Sequence, residues 1–302
     1  MFKSYSKKQI YYFCSLSAQK KFLIEIRDYT LSQKPEENMK KILILMAVAA
    51  MAVSCTKTPS KEVAVTCDTT QNHLLMSVAW YQVSAEMEAL YIQGFNIAEM
   101  RLGEVVKKEK GKLAVVVDID ETMLNNSPIE AESILKNRSF SKEFWAEWSA
   151  KSAAEATPGS VEFANFAKSK GVEIFYISNR DSSEIGSTIA NLIKVGFPYA
   201  DSSHCLFKTT TSNKEPRRLE VSKTHNIVML IGDNLGDFAE VFDHRNDNYG
   251  KSSVDSLRSM FGKKFIVLPN PMYGDWEKAI WRGEKLSACK KDSARRSILK
   301  GF

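Results

Sequence analysis

Three short apolar runs, each closely followed by polar side chains, constrain the fold of this chain more than any other feature. The runs are Leu113 to Val117, Val172 to Ile177 and Ile227 to Ile231, and Phe265 to Leu268 is a fourth of the same kind. Stretches with helical spacing of apolar residues separate them, and a longer helix or helix pair is expected over residues 74–107. Because buried parallel strands are apolar on both faces, this alternation predicts an α/β fold with a mainly parallel sheet.

The polar residues that end the runs predict where a functional site lies. Asp118 and Ser178 follow the first two runs directly, and Asp233 follows the third after one glycine. Ligands of open α/β sheets bind at the edge formed by the carboxyl ends of the strands. We therefore expect these three side chains to converge on one site.

The segment DIDET, Asp118 to Thr122, is the strongest chemical signal. Two carboxylates two residues apart at a strand end can divide the work of a nucleophile and of a general acid and base. Asp118 is predicted to attack phosphorus and form an aspartyl-phosphate. Asp120 is predicted to protonate the leaving alkoxide and then to deprotonate the water that hydrolyses the intermediate, while the Thr122 hydroxyl fixes the loop.

The segment GDNLGD, Gly232 to Asp237, supplies further acids after the third run. A phosphate and a carboxylate nucleophile repel each other unless a cation lies between them, which makes Mg²⁺ the expected cofactor. Asp233 is the candidate for a direct ligand, and Asp237 either ligates the metal or holds a metal-bound water. Asp118 and the backbone carbonyl of Asp120 complete the predicted metal site.

Two further segments are predicted to bind the phosphoryl group. Ser178 and Asn179 follow the second run and lead towards a helix, where a hydroxyl and backbone N–H groups can hold an anion. A cation is also needed to offset the charge of the nucleophile. Lys214 is preferred because it opens a helix with Pro216 in its first turn, and Lys208 stays the alternative.

Together these segments resemble the four motifs of the haloacid dehalogenase (HAD) superfamily. The longer pattern, with DIDETMLNNSP, FYISNR, SNKEPRR, IGDNLGDF and LPNPMYGDWE, resembles the class C acid phosphatases of the bacterial lipoprotein e family. The similarity runs from about Leu74 to the region of Trp281. It implies a HAD-like Rossmannoid core with a smaller helical region from flanking segments, Mg²⁺, and 5′-nucleotidase activity on nucleoside or nicotinamide mononucleotides.

The resemblance implies the same roles for the acids, the serine and Lys214, and it adds two aromatic residues. Trp145 and Tyr273 match positions that flank the substrate base in this family. Without the resemblance, an aromatic side chain in a helical stretch such as EFWAEW is more often a packing residue. Ile129 departs from the family pattern, which has Tyr after NNSP. The departure concerns the substrate pocket and leaves the predicted chemistry intact.

The N-terminal segment is predicted to direct the chain to a bacterial cell envelope. Residues 39–54 contain two lysines and a 12-residue apolar run before Cys55, as in a lipoprotein signal peptide. The run is too short to cross a bilayer, which needs about 20 residues. We expect a lipid on Cys55, an outer-membrane location and a tether over residues 55–72. Residues 1–38 are interpreted as a non-native upstream extension, and residues 73–302 as the phosphatase domain.

Charge gives no support for a nucleic-acid-binding surface. The formal net charge of +6 belongs mostly to residues 1–54, and the remaining residues balance 33 Lys and Arg against 32 Asp and Glu. The expected partners are a small phosphomonoester and, through the anchor, a membrane, while a homo-oligomer stays open. One disulfide among Cys67, Cys205 and Cys289 is compatible with an oxidising compartment.

Two other functions fit parts of the same pattern. A surface lipoprotein that acts mainly in ligand or host binding could retain this fold, but intact DIDET and GDNLGD favour an enzyme. A phosphotransferase would use the same aspartyl-phosphate, and Asp120 supports both hydrolysis and transfer. The preferred prediction is a Mg²⁺-dependent phosphomonoesterase.

Overall fold

The computed structural model of the chain describes residues 70–245 and 247–302, and a five-stranded parallel sheet lies at the centre of this part. In chain order the strands are β1 (Leu113–Val117), β2 (Leu124–Asn125), β3 (Glu155–Ala156), β4 (Glu173–Asp181), β5 (Cys205–Lys208), β6 (Asn226–Gly232) and β7 (Phe265–Val267). The central sheet has the order β5-β4-β1-β6-β7, and β2 pairs with β3 in a separate antiparallel ribbon. The predicted α/β fold with a mainly parallel sheet is confirmed.

The apolar runs of the sequence form strands close to the predicted bounds. All five residues of β1 are buried, so its apolar side chains pack on both faces of the sheet. β4 continues to Asp181, past the expected end at Ile177, because its last residues pair with β5 across an irregular register. β5 itself was not predicted. It has only four residues with alternating burial, which is too short for a clear periodic signal.

Ten α-helices in the described part of the chain accompany the strands. They are α1 (Leu75–Val83), α2 (Ala85–Val105), α3 (Ser127–Leu135), α4 (Lys142–Ser149), α5 (Ser160–Ser169), α6 (Ile185–Val195), α7 (Glu215–Ser222), α8 (Lys251–Ser256), α9 (Asp275–Lys278) and α10 (Ala288–Ser297). The stretch predicted over residues 74–107 is a helix pair, because Ser84 has an extended backbone and its hydroxyl caps α2. Among the described helices, none is both long and apolar enough to span a bilayer.

Apolar side chains pack against both faces of the sheet. Successive side chains of a strand point to opposite faces, so Val115 joins a cluster with Phe163 of α5, and Val116 joins a second cluster with Phe265 of β7. β1 is therefore held from both sides. This fixes the position of Asp118, the first residue after the strand.

The N-terminal predictions lie outside the described residues. These are the upstream extension over residues 1–38, the signal peptide, the lipid on Cys55 and nearly all of the tether. Cys205 is a buried free thiol and Cys289 is disulfide-bonded, so these two cysteines do not pair with each other.

Candidate active site

The DIDET segment leaves β1 at the carboxyl edge of the sheet. The backbone N–H of Asp118 donates to the carbonyl of Ile231 at 2.9 Å, which brings the aspartate beside the end of β6. Glu121 occupies the left-handed region, with a φ of 56°, which is uncommon for a residue with a side chain. Its carbonyl accepts a hydrogen bond from the buried hydroxyl of Tyr91 on α2. The helix therefore helps to hold the turn that presents Asp118.

Asp118, Asp233 and Asp237, three of the predicted metal ligands, form a compact carboxylate cluster. One oxygen from each lies within 4.8 Å of the others, and Asp118 and Asp237 are buried. The donors are all oxygens, and hard divalent cations such as Mg²⁺ prefer such ligands. The cluster therefore fits a divalent metal.

Lys214 is the cation of this cluster. Its Nζ contacts Asp118 and lies 2.7 Å from Asp237. Burial raises the pKa of Asp118 to about 7; the lysine opposes this rise, whereas Asp237 adds to it. Burial and the two neighbouring aspartates also raise the pKa of Asp233. One ammonium group is therefore not enough to balance three clustered carboxyl groups, which gives a physical reason for a bound cation.

Hydrogen bonds from the backbone and from a side chain hold the two acids that follow β6. The backbone N–H of Asn234 donates to Asp237 at 3.0 Å, and the Nδ2 of Asn270 donates to Asp233 at 2.8 Å. A Cβ atom at Gly232 would lie 2.3 Å from the Asp237 carboxylate. Glycine is therefore needed at this position for Asp237 to reach the cluster. Thr122 approaches Asp233 only at 3.5 Å, the limit of a hydrogen bond.

The two lysines weighed from the sequence lie in different places. Lys214 occupies the N-cap position of α7, which carries Pro216 in its first turn as predicted, and its side chain lies between Asp118 and Asp237. Lys208 ends β5, where it lies opposite Asp181 of β4 in the sheet. Geometry thus favours Lys214 as the cation beside the nucleophile.

Asp120 lies apart from the carboxylate cluster and is surrounded by hydrogen-bond donors. Its Oδ1 accepts from the Nε of Arg180 at 2.9 Å and from the Nδ2 of Asn126 at 2.9 Å. Its Oδ2 accepts from the Ser178 hydroxyl at 3.0 Å. The two acids of DIDET therefore have different neighbours: a lysine and two acids for Asp118, and three donors for Asp120.

Ser178 lies within β4, and not at the start of a helix as the sequence suggested. Its hydroxyl donates to Asp120 and accepts the backbone N–H of Arg180 at 3.0 Å. Arg217 of α7 holds the same stretch, because it donates to the carbonyl of Ser178 and, at 2.7 Å, to the Oδ1 of Asn179. Ser178 and Asn179 therefore lie at the expected edge, and their phosphate-binding role stays a prediction.

The two aromatic candidates are linked to different residues of the site. The indole of Trp145 donates to Glu184 at 2.7 Å, and its ring centroid lies 5.2 Å from the Arg180 guanidinium carbon, on the Asp120 side. The backbone N–H of Tyr273 points to Asn270, which binds Asp233. Both rings are half-buried. Their role in binding a base stays a prediction.

Sequence reasoning gave no role to three residues that contact the site. Arg180 and Asn126 lie within quoted motifs, FYISNR and DIDETMLNNSP, but motif spacing does not show that both side chains reach Asp120. Asn270 lies in LPNP after β7 and reaches Asp233. The only available signal was polarity next to a strand end.

Comparisons with known proteins agree with this geometry. The family model for the HAD superfamily, subfamily IIIB (acid phosphatase), matches residues 36–276. The structure is similar to that of the class C acid phosphatase from Bacillus anthracis, with a TM-score of 0.74 and 42% identity over 78% of this chain and 100% of that chain. The tungstate-bound form of that class C enzyme gives 0.73 and 41% over the same shares.

A plant protein is a more distant relative. The stem 31 kDa glycoprotein of Glycine max is 27% identical over 164 residues, which are 52% of this chain and 58% of that protein's length. The chain thus spans little more than half of this relative. Since the subfamily IIIB match covers most of the sequence and agrees with the fold and the acidic strand ends, this chain belongs to the HAD acid phosphatases of subfamily IIIB, which are phosphoric monoester hydrolases.

Proposed function

We propose that this protein is a Mg²⁺-dependent 5′-nucleotidase that hydrolyses phosphomonoesters through an aspartyl-phosphate on Asp118. The observation that carries the proposal is the position of Asp118. It lies in contact with Lys214 and within 4.8 Å of the acids that follow β6, while the second acid, Asp120, faces a separate set of donors. A nucleophile with nearby positive charge and a separate acid/base is the arrangement that two-step phosphoryl transfer needs.

The metal would be held by Asp118, Asp233 and Asp237, with the backbone carbonyl of Asp120 as a further ligand. When bound, Mg²⁺ supplies the positive charge that lets a phosphate dianion approach a carboxylate. An all-oxygen donor set supports Mg²⁺ over metals that prefer nitrogen or sulfur ligands.

The chain's own groups divide the remaining work. A carboxylate oxygen of Asp118 forms a bond to phosphorus while the ester P–O bond breaks, and Lys214 offsets charge on the carboxylate and the phosphoryl oxygens. Ser178 and Asn179 bind phosphoryl oxygens, for which the Ser178 hydroxyl turns from its contact with Asp120. Asp120 gives a proton to the leaving oxygen and later takes one from the attacking water.

The proposal of a nucleotide substrate is based on Trp145 and Tyr273, which are partly exposed and are linked to Arg180 and to Asn270, respectively. An aromatic pair in this arrangement would stack on a nucleobase or a nicotinamide ring. Aromatic stacking contributes about 1–3 kcal/mol per base in other proteins. A lipid on Cys55 would hold the enzyme at a bacterial outer membrane, where it would release nucleosides from nucleotides.

Hydrolysis of p-nitrophenyl phosphate with and without EDTA tests the chemistry. We expect activity that EDTA abolishes and that added Mg²⁺ restores more fully than Zn²⁺. Adding glycerol to the assay separates hydrolysis from phosphotransfer, since a transferase would form glycerol phosphate in place of much of the free phosphate. Activity that survives complete metal removal would contradict the proposed role of the carboxylate cluster.

Tyr273→Ala tests the nucleotide substrate most cleanly, because Trp145 also contacts Arg180. We expect kcat/KM for AMP or nicotinamide mononucleotide to fall roughly 5- to 150-fold, while p-nitrophenyl phosphate and glycerol phosphate are much less affected. Trp145→Ala should show the same preference. Equal losses on nucleotide and non-nucleotide esters would make the two aromatics packing residues and would remove the basis for nucleotidase specificity.

Detergent partitioning of the full-length precursor tests the anchor. Wild-type protein should enter the detergent phase, because the several acyl chains of a bacterial lipoprotein bind membranes firmly, and Cys55→Ser protein should stay in the aqueous phase. Wild-type protein found only in the aqueous phase would exclude the anchor and leave the phosphatase chemistry untouched.

A further inference from the structure

Arg180 is almost fully buried beside Asp120, and each part of its guanidinium group has a partner. Its Nε lies 2.9 Å and its terminal nitrogen 2.8 Å from the Oδ1 of Asp120. The other terminal nitrogen donates to Thr188 at 2.9 Å, and the Trp145 ring lies against the guanidinium. These contacts leave the planar group little freedom, so the orientation of the Asp120 carboxyl group depends on it.

Asn126 supports the same oxygen of Asp120, and its orientation is fixed by its neighbours. Its Oδ1 accepts from the indole N–H of Trp148 at 2.8 Å and from Arg180 at 3.3 Å, both of which can only donate. The Nδ2 of Asn126 must therefore face Asp120, which it reaches at 2.9 Å. The Oδ1 of Asp120 thus accepts from two groups that cannot accept a proton in return.

The second oxygen of Asp120 is in a different position. Oδ2 contacts the hydroxyl of Ser178, whose hydrogen can rotate and whose oxygen can accept as well as donate. A proton on Oδ1 would collide with the N–H groups of Arg180 and Asn126, whereas a proton on Oδ2 has room beside a hydroxyl. The two oxygens are therefore not equivalent for proton transfer.

We propose that Arg180 is the positioning residue of the acid/base step: with Asn126 it fixes Oδ1 of Asp120, so that Oδ2 carries the transferable proton. This inference rests on the proposed function. As the ester P–O bond breaks, its electron pair stays on the leaving oxygen, which takes the proton from Oδ2. The negative charge left on Asp120 then lies within 3 Å of the guanidinium, which stabilises it.

Arg180→Met in the full-length, Mg²⁺-loaded enzyme tests the inference on two esters. Glycerol phosphate has a leaving oxygen that needs a proton, whereas p-nitrophenyl phosphate has one that departs readily without it, and neither carries a nucleobase. General acid catalysis contributes about 10²- to 10⁴-fold. We expect kcat/KM to fall about 10²-fold or more for glycerol phosphate and less than about 10-fold for p-nitrophenyl phosphate. The ratio kcat/KM is used because it includes the steps up to departure of the leaving group.

Equal losses on the two esters would overturn the inference, because a merely structural arginine lowers all turnover alike. If Arg180→Met does not fold, Arg180→Lys is tested in its place, because it keeps the charge but lacks the planar pair of donors. Its kcat/KM should again fall more for glycerol phosphate than for p-nitrophenyl phosphate, by a smaller factor. An Arg180→Lys enzyme without this difference would also overturn the inference. Arg101→Met is the matched control, because Arg101 binds the carbonyl of Gly262 and should leave both esters unchanged within about 2-fold.

Failure of the inference and failure of the proposed function give different results. If the wild-type enzyme hydrolyses both esters and Asp118→Asn does not, the proposed chemistry stands whatever Arg180 does. If Asp118→Asn retains activity, the proposed function fails first.

Discussion

The two ends of the central sheet carry similar groups in opposite electrostatic situations. At the carboxyl edge, Asp118, Asp233 and Asp237 form a cluster, and Lys214 contacts two of them. Burial raises the pKa of Asp118 to about 7. At the amino edge, Glu173 opens β4 and lies 3.2 Å from a nitrogen of His204 and of His225. Although burial opposes it, the hydrogen bond with His204 and the proximity of His225 lower the pKa of Glu173.

Neighbouring groups, and not the residue types, account for the difference. Asp201 at the amino edge accepts hydrogen bonds from Ser203 and His204, which outweigh burial and lower its pKa to about 2. The carboxyl edge instead places like charges together, which favours neutral forms and leaves a need for a cation. We infer that the charged groups at the amino edge stabilise the fold. The clustered acids at the carboxyl edge lower its stability but are needed for the reaction.

Asp118→Asn should produce the largest effect and the sharpest contrast between the edges. Loss of the nucleophile should lower kcat at least ~10³-fold. Its raised pKa means that stability falls as pH rises from about 4 towards about 7, so the neutral amide should leave the unfolding free energy in EDTA at pH 8 unchanged or higher. Kinetics and urea unfolding check both expectations. Retention of more than a tenth of the activity would rule out Asp118 as the nucleophile.

Lys214→Met should have the next largest effect. It leaves Asp118 and Asp237 buried without their cation, and breaking a buried ion pair typically costs about 3–5 kcal/mol. We expect the free energy of unfolding in EDTA to fall by about that amount and to recover in part with Mg²⁺. Lys208→Met is the matched control and should change stability by less than about 0.5 kcal/mol. Similar losses for the two lysines would remove the distinction between them.

Glu173→Gln tests the amino edge. A lowered pKa gives stability that is present above the ordinary value near 4.5 and is lost as pH falls through the folded value. We expect the free energy of unfolding to drop by about 1 kcal/mol at pH 5.5, with a smaller difference at pH 3.5, and kcat to stay unchanged. A large loss of kcat with normal stability would mean that the two edges are not separate in function.

Glu130→Gln tests whether a carboxyl group with a raised pKa must belong to the active-site edge of the sheet. Burial and the nearby Glu277 raise the pKa of Glu130, on α3, to about 7. The folded state then holds more protons than the unfolded state between about pH 4.5 and 7, so stability falls across this window. Since Glu130 is partly exposed, the gain from Glu130→Gln at pH 8 should be about 0.5–1 kcal/mol. Unfolding at pH 4 should show no gain.

Most of the site followed from local sequence because its parts are tied to strand ends. An apolar run that forms a buried parallel strand must place its next polar residue at the carboxyl edge, which is why Asp118 and Asp233 could be located. The same reasoning misplaced Ser178 relative to the helix, because β4 continues to Asp181 through pairing with β5. That pairing joins residues about thirty positions apart, and β5 is too short to give a recognisable periodic pattern in the sequence.

By itself, the sequence determined the alternation of strands and helices, the acids at two strand ends and the family to which the chain belongs. Periodicity and motif spacing carry this information because they act over a few residues. Only the tertiary structure decided that Lys214 contacts Asp118 while Lys208 lies opposite Asp181 in the sheet, and that Arg180 and Asn126 share one oxygen of Asp120. These contacts depend on side chains from separate elements meeting at hydrogen-bond distance, and chain spacing does not set such distances.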